Sequence, residues 1–288
     1  MILKKFFKFK NLSTASILFK IHNNKLFVEN IYLSIFLENL IAIIKRKSVR
    51  FTFDKSNNLF KAIDKNIIRF YSDKNRCFWL YRNGISERGK LIYSTYCLQK
   101  IKFKEQDIVI DCGANSGDLL IELNNYIKVG NYIAIEPNPI DFEVLKLNCK
   151  NQVLVNKALG NKNDNLNFYI ATSDGDSSII KPKIYREIIT VEVIKLDDLI
   201  KNLNIKKIKL LKIEAEGYEP EVLEGALGII PICEYIAIDG GYERGQNQEQ
   251  TFTTITNILL KNNFEIYDIN FSWYRALFKN KRNLEFLN

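Results

Sequence analysis

Two acidic residues and a glycine loop between residues 107 and 136 have the types and spacing of a small-molecule binding site. Asp111 ends a short apolar run, and a loop with the spacing Gly-x-x-x-Gly follows it directly, from Gly113 to Gly117. A dinucleotide-binding loop needs the spacing Gly-x-Gly-x-x-Gly, so this loop argues against NAD or FAD. Asp111 would repel a phosphate and suits a cation or an ammonium group instead.

Glu136 follows the next apolar run, 25 residues after Asp111. A carboxylate at the end of a second strand can accept hydrogen bonds from both hydroxyls of a ribose. Asn115 stands in the middle of the loop, and asparagine tolerates the left-handed backbone conformation that a tight turn requires. A ligand with an ammonium group, a ribose and no phosphate is S-adenosylmethionine, which we predict as the cofactor.

Further acidic residues follow two later apolar runs. Glu214 and Glu216 come after residues 208–213, and Asp239 comes after residues 235–238. Methyl transfer to an alcohol is helped by a general base, and Glu216 and Asp239 are our catalytic candidates. A favourable charge at a helix N-terminus, a plain turn, or a divalent cation held by Glu214, Glu216 and Asp239 are alternatives. The site prediction itself includes no metal.

The elements that position these residues alternate between strand and helix. Short apolar, β-branched runs predict strands, and helical periodicity appears between them. The predicted strands cover residues 107–111, 132–135, 153–155, 208–213, 235–238, 264–269 and 272–278. Such alternation specifies an open, doubly wound α/β sheet, which binds ligands beyond the carboxyl ends of its strands. A polar stretch at 161–178 predicts an inserted hairpin or lid.

Several short motifs resemble those of the FkbM-type methyltransferases. They are Asp111-Cys-Gly-Ala-Asn-Ser-Gly117, Glu136-Pro-Asn-Pro139, Ala158-Leu-Gly160, Lys212-Ile-Glu-Ala-Glu-Gly-Tyr-Glu219 and Val222-Leu-Glu-Gly-Ala226. The resemblance covers roughly residues 105–270. It implies a class I methyltransferase (Rossmann-like) fold with seven strands, the last antiparallel, and methyl transfer from S-adenosylmethionine, usually to a hydroxyl of a sugar, glycolipid or polyketide. Glu214 stands where the family more often has Asp.

The cofactor-binding residues that we predict are Asp111, Gly113, Ala114, Asn115, Gly117, Glu136, Pro137, Asn138, Ala158 and Glu214. The acceptor is harder to assign. The turn after residue 213 reads Glu-Ala-Glu-Gly, which disfavours methylation of a nucleic-acid base and leaves a hydroxyl as the better acceptor. The resemblance implies that this hydroxyl belongs to a saccharide-containing acceptor. Candidate acceptor contacts in the insert are Asp174, Asp176, Ser177, Ser178 and Tyr185, with a solvated loop as the alternative. The segment Gly240-Gly-Tyr-Glu-Arg244-Gly is a second candidate acceptor contact, in which Arg244 could bind an acidic glycan or a phosphate.

The composition excludes several other chemistries. The chain of 288 residues has one histidine, His22, so a multi-histidine metal site is impossible. Its five cysteines are scattered and include no Cys-x-x-Cys pair, which disfavours a zinc cluster or a disulfide scaffold. Reduced thiols in a cytoplasmic protein are the simpler interpretation.

The basic charge is concentrated in the first third of the chain. Residues 1–105 contain 22 Lys and Arg against 7 Asp and Glu, a net charge of +15. We predict a basic, mainly helical N-terminal extension (residues 1–100) before a methyltransferase domain (residues 101–288). The extension would meet an anionic membrane surface or an acidic glycan, with the protein peripheral at the inner membrane face; a solvated basic face is the alternative.

Residues 31–44 form the most apolar early segment and have helical periodicity. We expect the stripe of Leu33, Phe36, Leu37, Leu40, Ile41 and Ile44 to pack in a core, with a peripheral membrane helix as the alternative. For the whole chain, the alternative to an enzyme is a catalytically inactive binding module that docks on an anionic surface through this extension.

Overall fold

A computed structural model describes residues 30–171 and 177–282. His22, Asp174 and Asp176 lie outside the described residues. The chain divides into two compact units, Met1–Ile85 and Ser86–Asn288. Residues 86–100, which the sequence analysis assigns to the extension, therefore belong to the second unit.

Among the described residues, the first unit combines two helices with an antiparallel meander. Its elements are α1 (Ile31–Ile44), β1 (Arg50–Asp54), β2 (Leu59–Asp64), β3 (Ile67–Tyr71) and α2 (Lys74–Tyr81). The three strands were not predicted, because each is short and the two turns between them carry no glycine. Asn58 and Lys65 supply the positive φ values, both 54°, in those turns.

The expected core stripe of α1 is wrong. Its buried residues are Ser34, Glu38 and Ala42, whereas Phe36 and Ile44 are exposed. The Asn39 side chain explains the orientation, since its amide donates to the carbonyl oxygen of Phe51 and accepts from the Phe51 N–H. In a helix that is apolar on nearly every side, this polar contact with β1 selects the buried face rather than hydrophobic periodicity.

The second unit contains a seven-stranded sheet, among the described residues, in the order β12-β13-β11-β10-β4-β5-β6. Its strands are β4 (Val109–Cys112), β5 (Tyr132–Ile135), β6 (Val153–Val155), β10 (Ile208–Ile213), β11 (Cys233–Asp239), β12 (Phe264–Asn270) and β13 (Arg275–Asn280). Only β13 runs antiparallel to its neighbours in this sheet. This confirms the class I methyltransferase fold, with the last strand antiparallel.

Helices cover both faces of this sheet. They are α3 (Ile85–Thr95), α4 (Leu119–Leu123), α5 (Pro139–Asn148), α6 (Leu196–Leu203), α7 (Glu219–Glu224) and α8 (Phe252–Lys261). Two apolar clusters lie on the two faces, one around Ile213 and Ile236 and the other around Leu210 and Tyr235. Because strands β4, β5, β10 and β11 are buried on both faces, their sequences are mainly apolar. Their carboxyl ends meet at one side of the sheet, which we call the carboxyl edge.

The polar insert forms a small separate sheet, as predicted. β7 (Ala158–Leu159) pairs with β9 (Glu187–Ile194), which also forms an antiparallel hairpin with β8 (Asp164–Ile170). Ser178 ties this hairpin to the carboxyl edge by donating its hydroxyl to the carbonyl oxygen of Glu216, 2.7 Å away. Within residues 30–171 and 177–282, no helix has the length and apolar character needed to cross a bilayer.

Candidate functional site

The glycine loop is a tight turn at the end of β4. Gly113, Asn115 and Gly117 have φ values of 72°, 48° and 79°, which confirms the left-handed conformation expected of Asn115. The N–H groups of Gly113 and Ala114 both donate to the carbonyl oxygen of Ile135, at 3.0 and 3.1 Å. These bonds fix the loop against the end of β5, where Glu136 begins the next turn.

Gly113 is required by a close approach of two backbones. A Cβ atom at this position would lie 1.9 Å from the carbonyl oxygen of Glu214, a distance that no side chain permits. The loop after β4 therefore touches the segment after β10, so the two predicted halves of the site are in direct contact.

Glu136 is buried and organises both turns around it. Its Oε2 accepts the N–H of Asn115 at 2.8 Å, and its Oε1 accepts the N–H of Asn138 at 2.9 Å. Asn138 caps α5 through its side chain, and Pro139 is the first helical residue, as predicted. Burial and the neighbouring Asp141 raise the pKa of Glu136 to about 8.

Five charged side chains alternate in sign behind the glycine loop, and we call them the charge ladder. They are Asp111, Lys212, Glu214, Arg275 and Asp239, from strands β4, β10, β13 and β11 and the residue after β10. The Lys212 Nζ lies 3.0 Å from both Asp111 Oδ1 and Glu214 Oε2, and it donates to the Gly113 carbonyl oxygen at 2.9 Å. Arg275 joins Glu214 to Asp239, whose Oδ2 lies 2.7 Å from the Arg275 Nε.

The ladder sets the charge of its members. Burial alone would lower the pKa of Lys212, but Asp111 and Glu214 overcome this and raise it. Burial works against the ionised form of Glu214 too, yet Arg275 and Lys212 lower its pKa. Burial and Glu214 raise the pKa of Asp239, and Arg275 opposes them. The ammonium that Asp111 holds here is that of Lys212, and Tyr132 donates its hydroxyl to the second oxygen of Asp111.

The turn after β10 is held by Glu219. Its Oε1 accepts the N–H groups of Ala215 and Gly217 at 2.9 and 3.1 Å, and its Oε2 accepts the Thr251 hydroxyl. Burial raises the pKa of Glu219 to about 7. Glu216 has a φ of 50°, a left-handed conformation that is uncommon outside Gly, Asn and Asp. The turn therefore presents Glu216 in one enforced conformation.

A carboxyl group that is not among the predicted catalytic residues lies beside these two turns. A Cβ at Gly241 would lie 3.1 Å from Asp239 Oδ1 and 3.5 Å from Glu243 Oε1, so both acids border the same small space. Glu243 also makes a side-chain hydrogen bond to Glu216, which requires a proton on one of the two. Much of the Glu243 side chain is exposed, but the shielding of its carboxyl group and the charges of Asp239 and Glu214 raise its pKa to about 8.

The remaining candidates have varied surroundings. Pro137 is partly buried, and Ala158 is buried in β7. Tyr185 packs edge-on against Tyr169, within the insert. The Arg244 guanidinium bonds both carboxylate oxygens of Glu221, at 3.0 and 2.6 Å, so it is not open to grip an anionic acceptor.

Cysteine and metal chemistry can be checked in the described residues. All five cysteines are free and buried. No group of three His, Cys, Asp or Glu residues in the described ranges could hold a metal ion, and Glu214 and Asp239 are bound to Arg275 instead.

The sequence of residues 111–266 matches the model of the methyltransferase FkbM domain, and this range covers more than half of the chain. The chain belongs to the FkbM methyltransferase family. A search of curated proteins gives no match. Membership of this methyltransferase family makes S-adenosylmethionine the cofactor of the chain.

Solved structures with a similar fold are distant in sequence. An FkbM methyltransferase from Methylobacillus flagellatus KT is 18% identical, with a TM-score of 0.46, over 67% of this chain and 50% of that one. This chain thus spans about half the length of that protein. Magnesium protoporphyrin IX methyltransferase from Synechocystis PCC 6803 is 10% identical over 72% of this chain and 83% of that one, with a TM-score of 0.39. Fibrillarin from Aeropyrum pernix is 10% identical over 80% of this chain and 97% of that one, with a TM-score of 0.40.

The residues at the carboxyl edge of this FkbM-family protein fit S-adenosylmethionine. Each oxygen of Glu136 accepts one N–H and retains a lone pair, so the carboxylate can accept the ribose hydroxyls. The charge ladder has three acids against two cations, so its net charge is negative when all five are ionised, which suits a cationic sulfonium and opposes a pyrophosphate. Asp111 fits a positioning role better than direct contact, since Lys212 and Tyr132 occupy it.

Two of the three edge residues that were not predicted as site residues could have been found in the sequence. Lys212 interrupts the apolar run 208–213, and Arg275 begins the apolar run 275–278. A single charge within a buried strand implies a buried partner of opposite sign. Glu243 gave no such signal, because it lies in a polar loop and its neighbours come from other elements.

Proposed function

We propose that this FkbM-family protein transfers the methyl group of S-adenosylmethionine to a hydroxyl oxygen of a glycan, glycolipid or related saccharide-containing metabolite. The observation that carries the proposal is the carboxyl pair of Glu216 and Glu243, which lies at the carboxyl edge next to the segment that touches the glycine loop. A hydroxyl must lose its proton as its oxygen takes the methyl group, and a base with a pKa near the working pH accepts that proton best.

Some residues at the carboxyl edge bind the cofactor, and others accept the proton of the acceptor. When bound, the cofactor supplies a methyl group activated by the adjoining sulfonium charge. Glu136 holds the ribose, and Lys212 fixes the glycine loop and the segment after β10 in one arrangement. The Glu216–Glu243 pair accepts the acceptor's proton. Asp239, bound to Arg275 and the Gly241 N–H, positions Arg275 rather than acting as the first base.

The test is methyl transfer from cofactor labelled in its methyl group to a mixture of glycans and glycolipids, with products identified by mass spectrometry. We expect products heavier by one methylene unit, at a rate that rises with pH until about pH 8, where Glu243 is ionised. Glu243→Gln should abolish this rise while cofactor affinity stays unchanged. Cofactor binding without transfer to any hydroxyl would contradict the proposal, and so would a Glu243→Gln profile that matches the original.

We also propose that the N-terminal unit docks on an anionic lipid surface. Five apolar side chains of α1 are exposed: Tyr32, Phe36, Leu40, Ile43 and Ile44. The cations Lys45, Arg46 and Lys47 follow directly. An apolar helix face bordered by cations is typical of helices that lie in a membrane interface, where anionic headgroups attract the cations.

A further inference from the structure

Four exposed aromatic side chains lie on two neighbouring segments at the carboxyl edge, and we call them the aromatic ledge. They are Tyr242, Phe271, Trp273 and Tyr274. Tyr242 follows the carboxyl end of β11, and the other three form the turn between β12 and β13. Because β12 runs parallel to β11, that turn lies at the same edge of the sheet. Phe271 is 75% exposed, the largest exposure among the large apolar side chains described.

Direct contacts connect the ledge to the site. The Gly240 N–H donates to the Tyr274 carbonyl oxygen at 3.0 Å, and the Tyr242 and Tyr274 rings are nearly perpendicular with centroids 5.1 Å apart. The Arg275 guanidinium lies 5.4 Å from the Trp273 ring centre and is bonded to Asp239. Tyr274 of the ledge directly precedes Arg275 of the charge ladder, so the ledge adjoins the site.

A tight turn carries three of these rings. The Trp273 N–H donates to the Asn270 carbonyl oxygen, which closes a four-residue turn, and Tyr274 follows with a φ of 53°. Glycine or asparagine normally takes that position in such hairpins. A group of exposed aromatic side chains on a protein surface marks a binding site, whereas a single exposed aromatic side chain needs no explanation.

The charges beside the ledge select a neutral ligand. Within residues 240–250 and 270–275 the cations are Arg244 and Arg275, and both are bound by carboxylates. The acids Asp239, Glu243 and Glu249 lie within or next to these segments, so a phosphate or a nucleic acid would meet repulsion there. A neutral sugar ring satisfies both features, since its C–H groups face the electron-rich aromatic surfaces and its hydroxyls donate to carboxylates.

We propose that the aromatic ledge is the acceptor subsite of this edge and that it binds a neutral saccharide ring. This inference rests on the proposed function and assigns residues to its acceptor side. Stacking on the ledge would place the ring's hydroxyls towards Glu243 and Asp239, the acids that border the ledge.

Binding can be measured with Trp273 as the reporter. The chain has two tryptophans, so Trp79→Phe leaves Trp273 as the single tryptophan. We expect its fluorescence to shift to shorter wavelength on titration with neutral oligosaccharides chosen by binding to an array of immobilised neutral and acidic glycans. The complementary Trp273→Phe variant, which reports through Trp79, should give no shift.

Variants of the ledge test the assignment independently of catalysis. Phe271→Ala and Tyr242→Ala should each weaken glycan binding about tenfold or more, as expected for loss of an aromatic anchor, and leave cofactor affinity unchanged. Tyr126→Ala is the matched control, because Tyr126 is a partly exposed aromatic before β5, at the opposite edge. It should leave glycan binding unchanged.

Two outcomes would overturn the ledge assignment. One is binding to acidic glycans alone, and the other is glycan binding or methyl transfer that the ledge variants do not alter. Failure of the proposed function gives a different result: glycans bind the ledge and Phe271→Ala weakens their binding, but no methyl group is transferred to a hydroxyl.

Discussion

The pKa values of carboxyl groups at the carboxyl edge shift in opposite directions because their partners differ. Arg275 and Lys212 keep Glu214 ionised, whereas Glu136, Glu219 and Glu243 are shielded and lack a close cation, so their pKa values rise to about 8, 7 and 8. Such separated values are typical of functional sites. The residue types could be predicted from the sequence, but the partners that set each pKa come from other strands.

Glu219 should make stability depend on pH. Burial raises its pKa from 4.5 to about 7 in the folded state, so its contribution is complete below about pH 4.5 and is lost as the pH rises through 7. The loss amounts to about 3 kcal/mol. Glu219→Gln keeps the acceptor for the Ala215 and Gly217 N–H groups but cannot ionise. We expect its free energy of unfolding to exceed that of the original protein by about 1–3 kcal/mol at pH 8 and to equal it at pH 4.5.

Urea unfolding at several pH values measures this difference. Glu265→Gln is the control, since Glu265 is exposed on β12. Parallel stability curves for Glu219→Gln and the original protein would show that Glu219 does not cause the pH dependence.

At the level of the elements, the contact between the glycine loop and the segment after β10 is tightly constrained. Gly113 and Gly130 both have positive φ values, 72° and 91°, but a Cβ meets a backbone oxygen only at Gly113 and nothing within 4 Å at Gly130. We expect Gly130→Ala to cost about 1 kcal/mol of stability from backbone strain. Gly113→Ala should cost more and weaken cofactor binding, because the loop must move away from Glu214.

Thermal unfolding and cofactor titration of the two variants separate strain from displacement. Equal stability losses, with cofactor affinity unchanged in both, would contradict the close approach.

The charge ladder links four strands, and Lys212 joins Asp111 to Glu214 within it. Lys212→Met leaves Asp111 and Glu214 buried without their ammonium partner, which should cost about 3–5 kcal/mol. Asp111→Asn combined with Lys212→Met should cost less than the sum of the single changes, because the second change removes a charge that the first left unpaired. Additive costs in urea unfolding would mean that the two side chains do not interact.

The positions of β4, β5, β10 and β11 could be predicted from the sequence. These strands are buried on both faces, so each appears in the sequence as a short, mainly apolar run. The face of α1 could not be predicted, since Asn39 and β1 orient it rather than periodicity. The pairing of charges within the charge ladder could not be predicted from the sequence either. Asp111 and Arg275 are 164 positions apart, and only the strand order of the sheet brings them into the same network.

At the scale of the whole molecule, positive charge and acidic chemistry occupy different parts of the chain. Residues 1–105 carry a net charge of +15, while the acids of the site lie beyond residue 106. We expect the full chain to bind vesicles containing anionic phosphatidylserine, with an affinity that falls as salt rises. Phe36→Ser should weaken this binding, because the Phe36 ring is exposed on α1.

Co-sedimentation with the vesicles provides the measurement, with uncharged phosphatidylcholine vesicles and Leu203→Ser on the exposed side of α6 as controls. Equal binding to both vesicle types, or to Phe36→Ser and the original chain, would be incompatible with a docking role for α1.

Calorimetric titration of the full chain with S-adenosylmethionine tests the central claim most directly, because every assignment at the carboxyl edge depends on that cofactor. The account predicts saturable binding, and Glu136→Ala should weaken it by about 1–3 kcal/mol, the cost of an unpaired polar partner. Absence of binding, or the same affinity in Glu136→Ala, would contradict the account.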